Sequence, residues 1–387
     1  MRALLIQVCI LGNLLFTFGA YAQEQTGGRQ ETEAKGENLI LEEIVVKGEK
    51  ESPLEESLTI REVRESPAKD VGEALKQVEG IDIIRKGAIA NDVVLRGFQR
   101  DNINLFVDGA RIHGACPSRM DPPAFHVDFA EVSQVEIVKG PYNLGNPGGL
   151  GGEIDVQTKK PHQGPGGDLN LTYGSYQSVN ASATASYGAE RYDGLAGYAY
   201  KYSKVPKAAN GQLITDIYPA TSPNRYRSGP ISSRAYDINT GWGKVGLNPT
   251  GSSRTELSYT YQDADHVLYP ALKMDAEYDR TQLLNWIYRI EGVSPGVKEL
   301  KLQAYWDWVD HRMDDELRVS SLGKPRPYSM QTQAQAQVAG AKLDGSFAGG
   351  PGTVRGGIDY YNRNWDAKNR RAMFTRASPY TPVNMVP

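Results

Sequence analysis

The chain has 387 residues, 40% of them hydrophobic, with 41 Gly, 22 Tyr and a formal net charge of -3. That mildly acidic balance excludes nucleic acid as a partner, because no basic excess exists to meet phosphates. After the first 22 residues no apolar run approaches the roughly 20 residues a spanning helix needs, which leaves open only a β-barrel, whose hydrophobicity hides in alternation.

Residues 1–22 read as a secretory signal peptide: one basic residue (Arg2), an apolar run from Ala3 to Phe18, then Ala20-Tyr21-Ala22 before Gln23. Cys9 leaves with it, so the exported chain keeps only Cys116 and has no intramolecular disulfide. Residues 23–58 are expected to be disordered, being rich in Gln, Glu and Gly, apart from a β-prone island, Leu41-Glu42-Glu43-Ile44-Val45-Val46-Lys47-Gly48. Such an island suits an edge strand or a peptide offered to a partner by strand addition.

Residues 59–161 describe a small α+β domain. Val71, Ala74, Leu75 and Val78 have helical spacing closed by Gly80, and short apolar runs follow at 81–84, 93–95, 103–107, 135–138 and 154–156. The glycines from Gly145 to Gly152 lack the Gly-Lys-Ser/Thr of a phosphate loop.

From residue 162 onward the texture changes to segments of about ten residues that alternate apolar and polar, as barrel strands do. Leu257, Tyr259 and Tyr261 oppose Ser258, Thr260 and Gln262; Ala334, Ala336 and Val338 oppose Gln333, Gln335 and Gln337. One face suits lipid and the other a wet lumen. The pattern predicts nine strands, near 167–174, 178–188, 192–203, 235–247, 254–264, 280–291, 297–310, 329–342 and 353–365. Short links (189–191, 248–253, 292–296, 345–352) alternate with long ones (204–234, 265–279, 311–328), which directs the first strand outward. Nine strands and a terminal loop from Ala377 leave an open edge, so an incomplete barrel is expected over 162–387.

These residues resemble the TonB-dependent outer-membrane receptors. Residues 41–48 look like their TonB box. Val94-Leu95-Arg96-Gly97-Phe98, Val107-Asp108-Gly109, Val135-Glu136-Ile137-Val138-Lys139-Gly140-Pro141 and Gly148–Ile154 look like their plug motifs. The resemblance implies a mixed α+β plug domain inside an antiparallel transmembrane β-barrel of 22 strands. It also implies a Gram-negative outer-membrane location with lipid around the wall, and energy supplied by a TonB–ExbB–ExbD complex that engages Glu42, Glu43, Ile44, Val45 and Val46. A monomer without enzymatic activity is expected, since no nucleophile–base constellation occurs.

The cargo is read from Gly114-Ala115-Cys116-Pro117-Ser118-Arg119-Met120-Asp121-Pro122-Pro123. A helical turn begun at Cys116, with Pro117 at its tolerated first position, would set Cys116 and Met120 on one side, and the two prolines would stiffen the exit. Two sulfur ligands suit a soft ion, Cu(I) above all. On the seventh wall strand Gln303, Tyr305 and Asp307 share the inward parity, which carries His311 and Met313 inward at the outer rim. Cys116-x-x-x-Met120 with His311-x-Met313 resembles the motifs of the copper-importing TonB-dependent receptors of the OprC/NosA kind, which implies Cys116, Met120, His311 and Met313 as ligands of a transported copper ion.

Each residue also has a plainer reading: Cys116 as plug core, Met120 as a loop cap, His311 and Met313 as an ordinary loop start. Met274 could be a ligand on the way in. Arg96 and Glu136 could pair plug with wall or form plain structural ion pairs; His113, His126, His162 and His266 show no paired metal spacing, and His113 and His126, near the Cys116 loop, could orient a ligand or simply be solvated or hydrogen-bonded. The other readings of the chain are a receptor for an iron siderophore or cobalamin, and a surface protein that binds without transport. Deleting residues 42–47 is expected to abolish copper accumulation by cells and to leave the metal content of the purified receptor unchanged; uptake that persists refutes coupling through that segment.

Overall fold

The computed structural model describes residues 55–59, 68–227, 234–321, 328–350, 352–373 and 381–382. The expected signal peptide and residues 41–48 lie outside the described residues.

The plug is a five-stranded sheet of order β1-β6-β7-β4-β5 beside a two-stranded hairpin, β2-β3. Its first strand, β1 (Glu55–Thr59), falls inside the segment expected to be disordered. Leu58 is the reason: it is buried opposite Val135 of β6 (Val132–Lys139), in the same core as Ile137, Ile154 and Val156. One apolar side chain on a paired edge outweighs a polar local composition.

Helix α1 (Val71–Leu75) is N-capped by Asp70, whose carboxylate accepts from the Glu73 N–H at 2.7 Å. It is shorter than the spacing of Val71 to Val78 predicts. After Leu75 the hydrogen bonds tighten to i→i−3 (Gln77 to Ala74, Val78 to Leu75), and Gly80, at φ +79°, turns the chain into β2 (Ile81–Ile84). The hairpin partner β3 (Asp92–Leu95) leads to β4 (Ile103–Val107) and β5 (Ala110–Arg111). β7 (Gly152–Thr158) pairs parallel with β4 and antiparallel with β6.

The wall is one antiparallel sheet with each strand beside its neighbour in sequence. Its strands are β8 (Gly164–Gly174), β9 (Ser178–Gly188), β10 (Tyr192–Lys204), β11 (Arg234–Thr250), β12 (Ser253–Val267), β13 (Asp275–Ser294), β14 (Val297–Asp314), β15 (Tyr328–Gly349) and β16 (Gly352–Met373). A tenth, β17 (Thr381–Pro382), pairs with Arg370 and Arg371, where the sequence predicts only loop. The strands overrun the alternating segments, most of all at the outer ends, so the link expected at 265–279 shrinks to residues 268–274.

Period-two alternation sorts the faces. On β12, Leu257, Tyr259 and Tyr261 are exposed on the lipid side, and Thr260 and Gln262 are buried against the plug. β15 reverses the assignment expected for it: Ala334, Ala336 and Val338 face inward and Gln335 and Gln337 outward. This part of β15 lies toward the outer end, and its small inward residues let the plug loop close in, with Ala115 packed on Val309, Ala334 and Ala336.

Plug and wall also meet through buried polar pairs. Lys244 Nζ reaches Asp108 Oδ2 at 3.1 Å and Thr158 Oγ1 at 2.7 Å, and Lys201 pairs with Asp128 at 2.8 Å. Gln303 donates to the Asp108 carbonyl. Arg96 and Glu136, for which pairing with the wall is one of two readings, bond within the plug: Arg96 donates to the Lys139 carbonyl and Glu136 accepts from Gln134.

Glu131 accepts from the Thr260 hydroxyl of the wall at 2.8 Å, and burial pushes its carboxyl up to about 8, with Asp128 and Asp108 adding to the rise. The native state therefore holds the proton more tightly than the unfolded chain, for which 4.5 is the ordinary value. Stability from this group is full below pH 4.5 and is lost as pH rises toward about 8. Glu131→Gln is expected to flatten that part of the stability curve, as read by thermal melting of the receptor in detergent between pH 5 and 8; an unchanged slope contradicts the assignment.

Candidate metal centre

The plug loop that carries Cys116 is shaped by one carboxylate. Asp121 accepts from the backbone N–H groups of Ala115 (2.5 Å) and Cys116 (2.8 Å), closing residues 115–121 into a ring. Gly114 makes that closure possible, because a Cβ there would lie 2.0 Å from the Asp121 carbonyl oxygen. Within the ring, Arg119 N–H bonds to the Cys116 carbonyl at 2.9 Å in a β-turn, with Arg119 at φ +58°. No helical turn forms at Cys116, contrary to the expectation from Pro117. The left-handed Arg119 ends the turn after its single i→i−3 bond, so no helix propagates.

Arg119 is held in its left-handed conformation by two bonds from its guanidinium to Asp92 and by Lys86, which donates to the Arg119 carbonyl. Pro122 is extended and starts a short 3-10 turn (Pro123–His126), which carries His126 beneath the loop. Cys116 and Met120 both end up buried, at 4% and 1% exposure.

β14 brings the second pair. His311 and Met313 face the lumen at 0% and 4% exposure, and Cys116 Sγ lies 3.7 Å from Met313 Sδ. Met120 packs in the same buried cluster as Cys116 and Met313, and Met274 packs against that cluster from the β12–β13 loop. Cys116, Met120 and Met313 thus lie in one buried cluster between plug and wall, with His311 beside Cys116.

The imidazole of His311 has a fixed orientation. Its direct cross-strand neighbour on β13 is Asp279, and Nδ1 donates to Asp279 Oδ2 at 3.0 Å. That bond leaves Nε2 as the basic nitrogen, and Nε2 is buried with no hydrogen-bond partner among the described residues. The thiol of Cys116 is near enough to interact with this ring electrostatically.

Ligand atoms of Asp121, Asp279 and His311 lie within 4.8 Å of one another, which would suit a metal ion. The carboxylates are already committed, Asp121 to two N–H groups and Asp279 to His311, so their geometry is that of residues orienting ligands. His126 belongs here too, although its sequence spacing gave no metal signal. It is fully buried, with Nδ1 at 2.7 Å from Thr281 Oγ1 and 3.6 Å from Asp279, and Nε2 at 3.8 Å from Asp121. His126 thus bridges the carboxylate that shapes the Cys116 loop and the one that orients His311. A sequence signal for it would have required knowing that β13 faces the plug at Asp279 and Thr281. His113 is half-buried, and desolvation, with Arg363 adding to it, lowers its imidazole to about 4.

Above the pocket, Arg318 closes the outer loops. Its guanidinium is fully buried, donating to both oxygens of Asp275, the Tyr226 hydroxyl and the carbonyls of Asn224 and Tyr269. Tyr269 in turn donates through its hydroxyl to the Met120 carbonyl. One cation therefore ties three outer loops to each other and to the plug loop.

Gly114→Ala is expected to open the ring at Asp121 and to destabilise the plug by about 2 kcal/mol or more, the cost of a backbone displaced around an unavoidable clash. Faster proteolytic cleavage between residues 114 and 123 would report it; parent-like resistance would show that the loop does not depend on this close approach.

Residues 50–152 match the TonB-dependent Receptor Plug Domain. The chain is 29% identical over 155 residues, 37% of its length, to the vitamin B12 transporter BtuB of Vibrio vulnificus (strain CMCP6), of which that stretch covers 25%. Among solved structures it is similar to the copper transporter OprC, with a TM-score of 0.73, 23% identity and coverage of 85% of this chain and 49% of the other. The FrpB iron transporter from Neisseria meningitidis (F3-3 variant) matches at a TM-score of 0.63, 18% identity and coverage of 83% and 49%. The chain spans about half the length of these solved structures. Residues 50–152 thus carry the plug domain of the TonB-dependent receptors, and the antiparallel wall that follows in the chain packs around it.

Proposed function

We propose that this receptor binds and imports copper, as Cu(I), through Cys116, Met120, His311 and Met313. The observation that carries the reading is the 3.7 Å approach of Cys116 Sγ to Met313 Sδ beside the unpartnered Nε2 of His311. Two sulfurs bound to one metal ion at about 2.3 Å with a tetrahedral angle lie about 3.8 Å apart. Soft thiolate and thioether donors select Cu(I) over hard cations.

The closure of the pocket favours a bare ion over an organic chelate. The four side chains are almost wholly buried and the loops above are tied by Arg318, so a siderophore or cobalamin has no direct contact with them. The similarity to OprC, a copper transporter, agrees with this reading; the vitamin B12 and iron transporters among the relatives define the alternative cargo.

The donors are divided between two bodies: Cys116 and Met120 belong to the plug, His311 and Met313 to the wall. Any movement of the plug loop away from β14 removes two of four ligands, and affinity falls with them. Coupling to a TonB complex through residues 42–46 would supply that movement. β1 would feel the pull first, because it follows that segment and holds the plug edge through its ladder with β6. Asp121 and Asp279 keep both halves of the site in place between cycles.

Copper content of the full-length purified receptor under reducing conditions, with X-ray absorption at the copper edge, tests the reading. One copper per chain with a sulfur-rich shell is expected, lost in Cys116→Ala and in His311→Ala. A parent receptor without copper would return Cys116 to the plug core and make an iron siderophore or cobalamin the cargo.

A further inference from the structure

The inward face of β14 continues below the metal centre as Val309, Asp307, Tyr305 and Gln303, toward the inner turn at 295–296. Asp307 stands four residues below His311, about 13 Å along the strand. It is 3% exposed, and among the described residues its carboxylate has no hydrogen bond and no ion pair, with Oδ2 fully buried and unsatisfied.

Asp307 faces a cavity between plug and wall, lined also by Asp108, Ile112, Thr158, Lys244 and Asn285. The cations nearby are committed elsewhere: Lys244 to Asp108 and Glu256, and Lys159 to Asp168. A carboxylate buried without a partner lowers stability, and an asparagine or leucine would fill the same position more favourably. Its companions on the strand repeat the pattern, since Tyr305 Oη and Gln303 Oε1 are buried and unsatisfied as well. Gln303, Tyr305 and Asp307 thus each present a buried oxygen atom toward the plug that lacks a well-formed hydrogen bond among the described residues.

We propose that Asp307 is a transit site for a cation, which takes up the metal ion released from the centre above and passes it down the plug–wall seam. Oxygen donors hold a soft ion weakly, and a site on an exit path must bind well enough to be entered and weakly enough to be left. This rests on the copper reading of the Cys116 centre.

The test uses the full-length receptor with Asp307→Asn and Asp307→Glu, measuring copper per chain, thermal melting in detergent and initial copper uptake by cells at matched receptor levels. Asp307→Asn is expected to keep one copper per chain and to melt at or above the parent temperature. Its uptake should slow about tenfold, the loss of one charge-assisted contact, and Asp307→Glu should restore most of it. Parent-like uptake in Asp307→Asn overturns the proposal. So does a fall in uptake that tracks a lowered melting temperature in both variants, which would mark a structural residue. A parent that binds no copper removes the reading beneath it, an outcome distinct from a copper-loaded parent whose Asn variant transports normally.

Discussion

Everything in this molecule follows from a wall that has two faces and a plug that must satisfy one of them. A strand directs alternate side chains to opposite sides, so each wall strand that meets lipid with Leu, Tyr or Trp must meet the plug with whatever lies between. On β11 and β12 those residues are Lys244, Thr260 and Gln262, and each finds a plug partner: Asp108, Glu131 and the Phe125 carbonyl. On β15 they are Ala334, Ala336 and Val338, and the plug answers with Ala115. The seam is therefore polar where ion pairs and hydrogen bonds must hold, and small and apolar where the Cys116 loop comes closest.

The centre is built by the same economy of partners. Its soft donors are weak hydrogen-bonding groups that pack as hydrophobes, so Cys116, Met120 and Met313 sit among Ala264, Ala276 and Tyr269 without leaving polar atoms stranded. Orientation is supplied by carboxylates one layer out. Asp121 folds the plug loop around its own side chain, Asp279 turns His311, and His126 with Thr281 lies between them. The two halves of the site meet through this layer, which explains how Cys116 and Met313, 197 positions apart in the chain, bring their sulfurs into contact.

Arg318 sets the other boundary. A buried guanidinium is tolerated only with its donors satisfied, and here the acceptors come from Asp275, Tyr226, Tyr269 and Asn224 at once. Its pairing with Asp275 and the Tyr269–Met120 contact place the outer closure and the metal loop in one network, so opening the mouth and loosening the centre share residues.

The sequence by itself determined the wall, and it marked Cys116, Met120, His311 and Met313 as candidate donors. Alternation marked nine strands and the inward parity of His311 and Met313, because both follow from local period-two geometry, and the ordered plug motifs marked the family. Local pattern failed where a distant partner overrode it. Leu58 makes a strand of a polar segment by reaching Val135, the left-handed Arg119 held by Asp92 stops a helical turn at Cys116, and the alanines of β15 face inward because the plug loop leaves room for nothing larger. His126 was marked only by its nearness to the Cys116 loop, and Asp279 and Arg318 carried no readable signal, since their roles exist only once β13 lies beside β14 and the outer loops fold together. Register and loop closure are long-range choices, settled by which buried polar group finds a partner, and only the tertiary structure makes them.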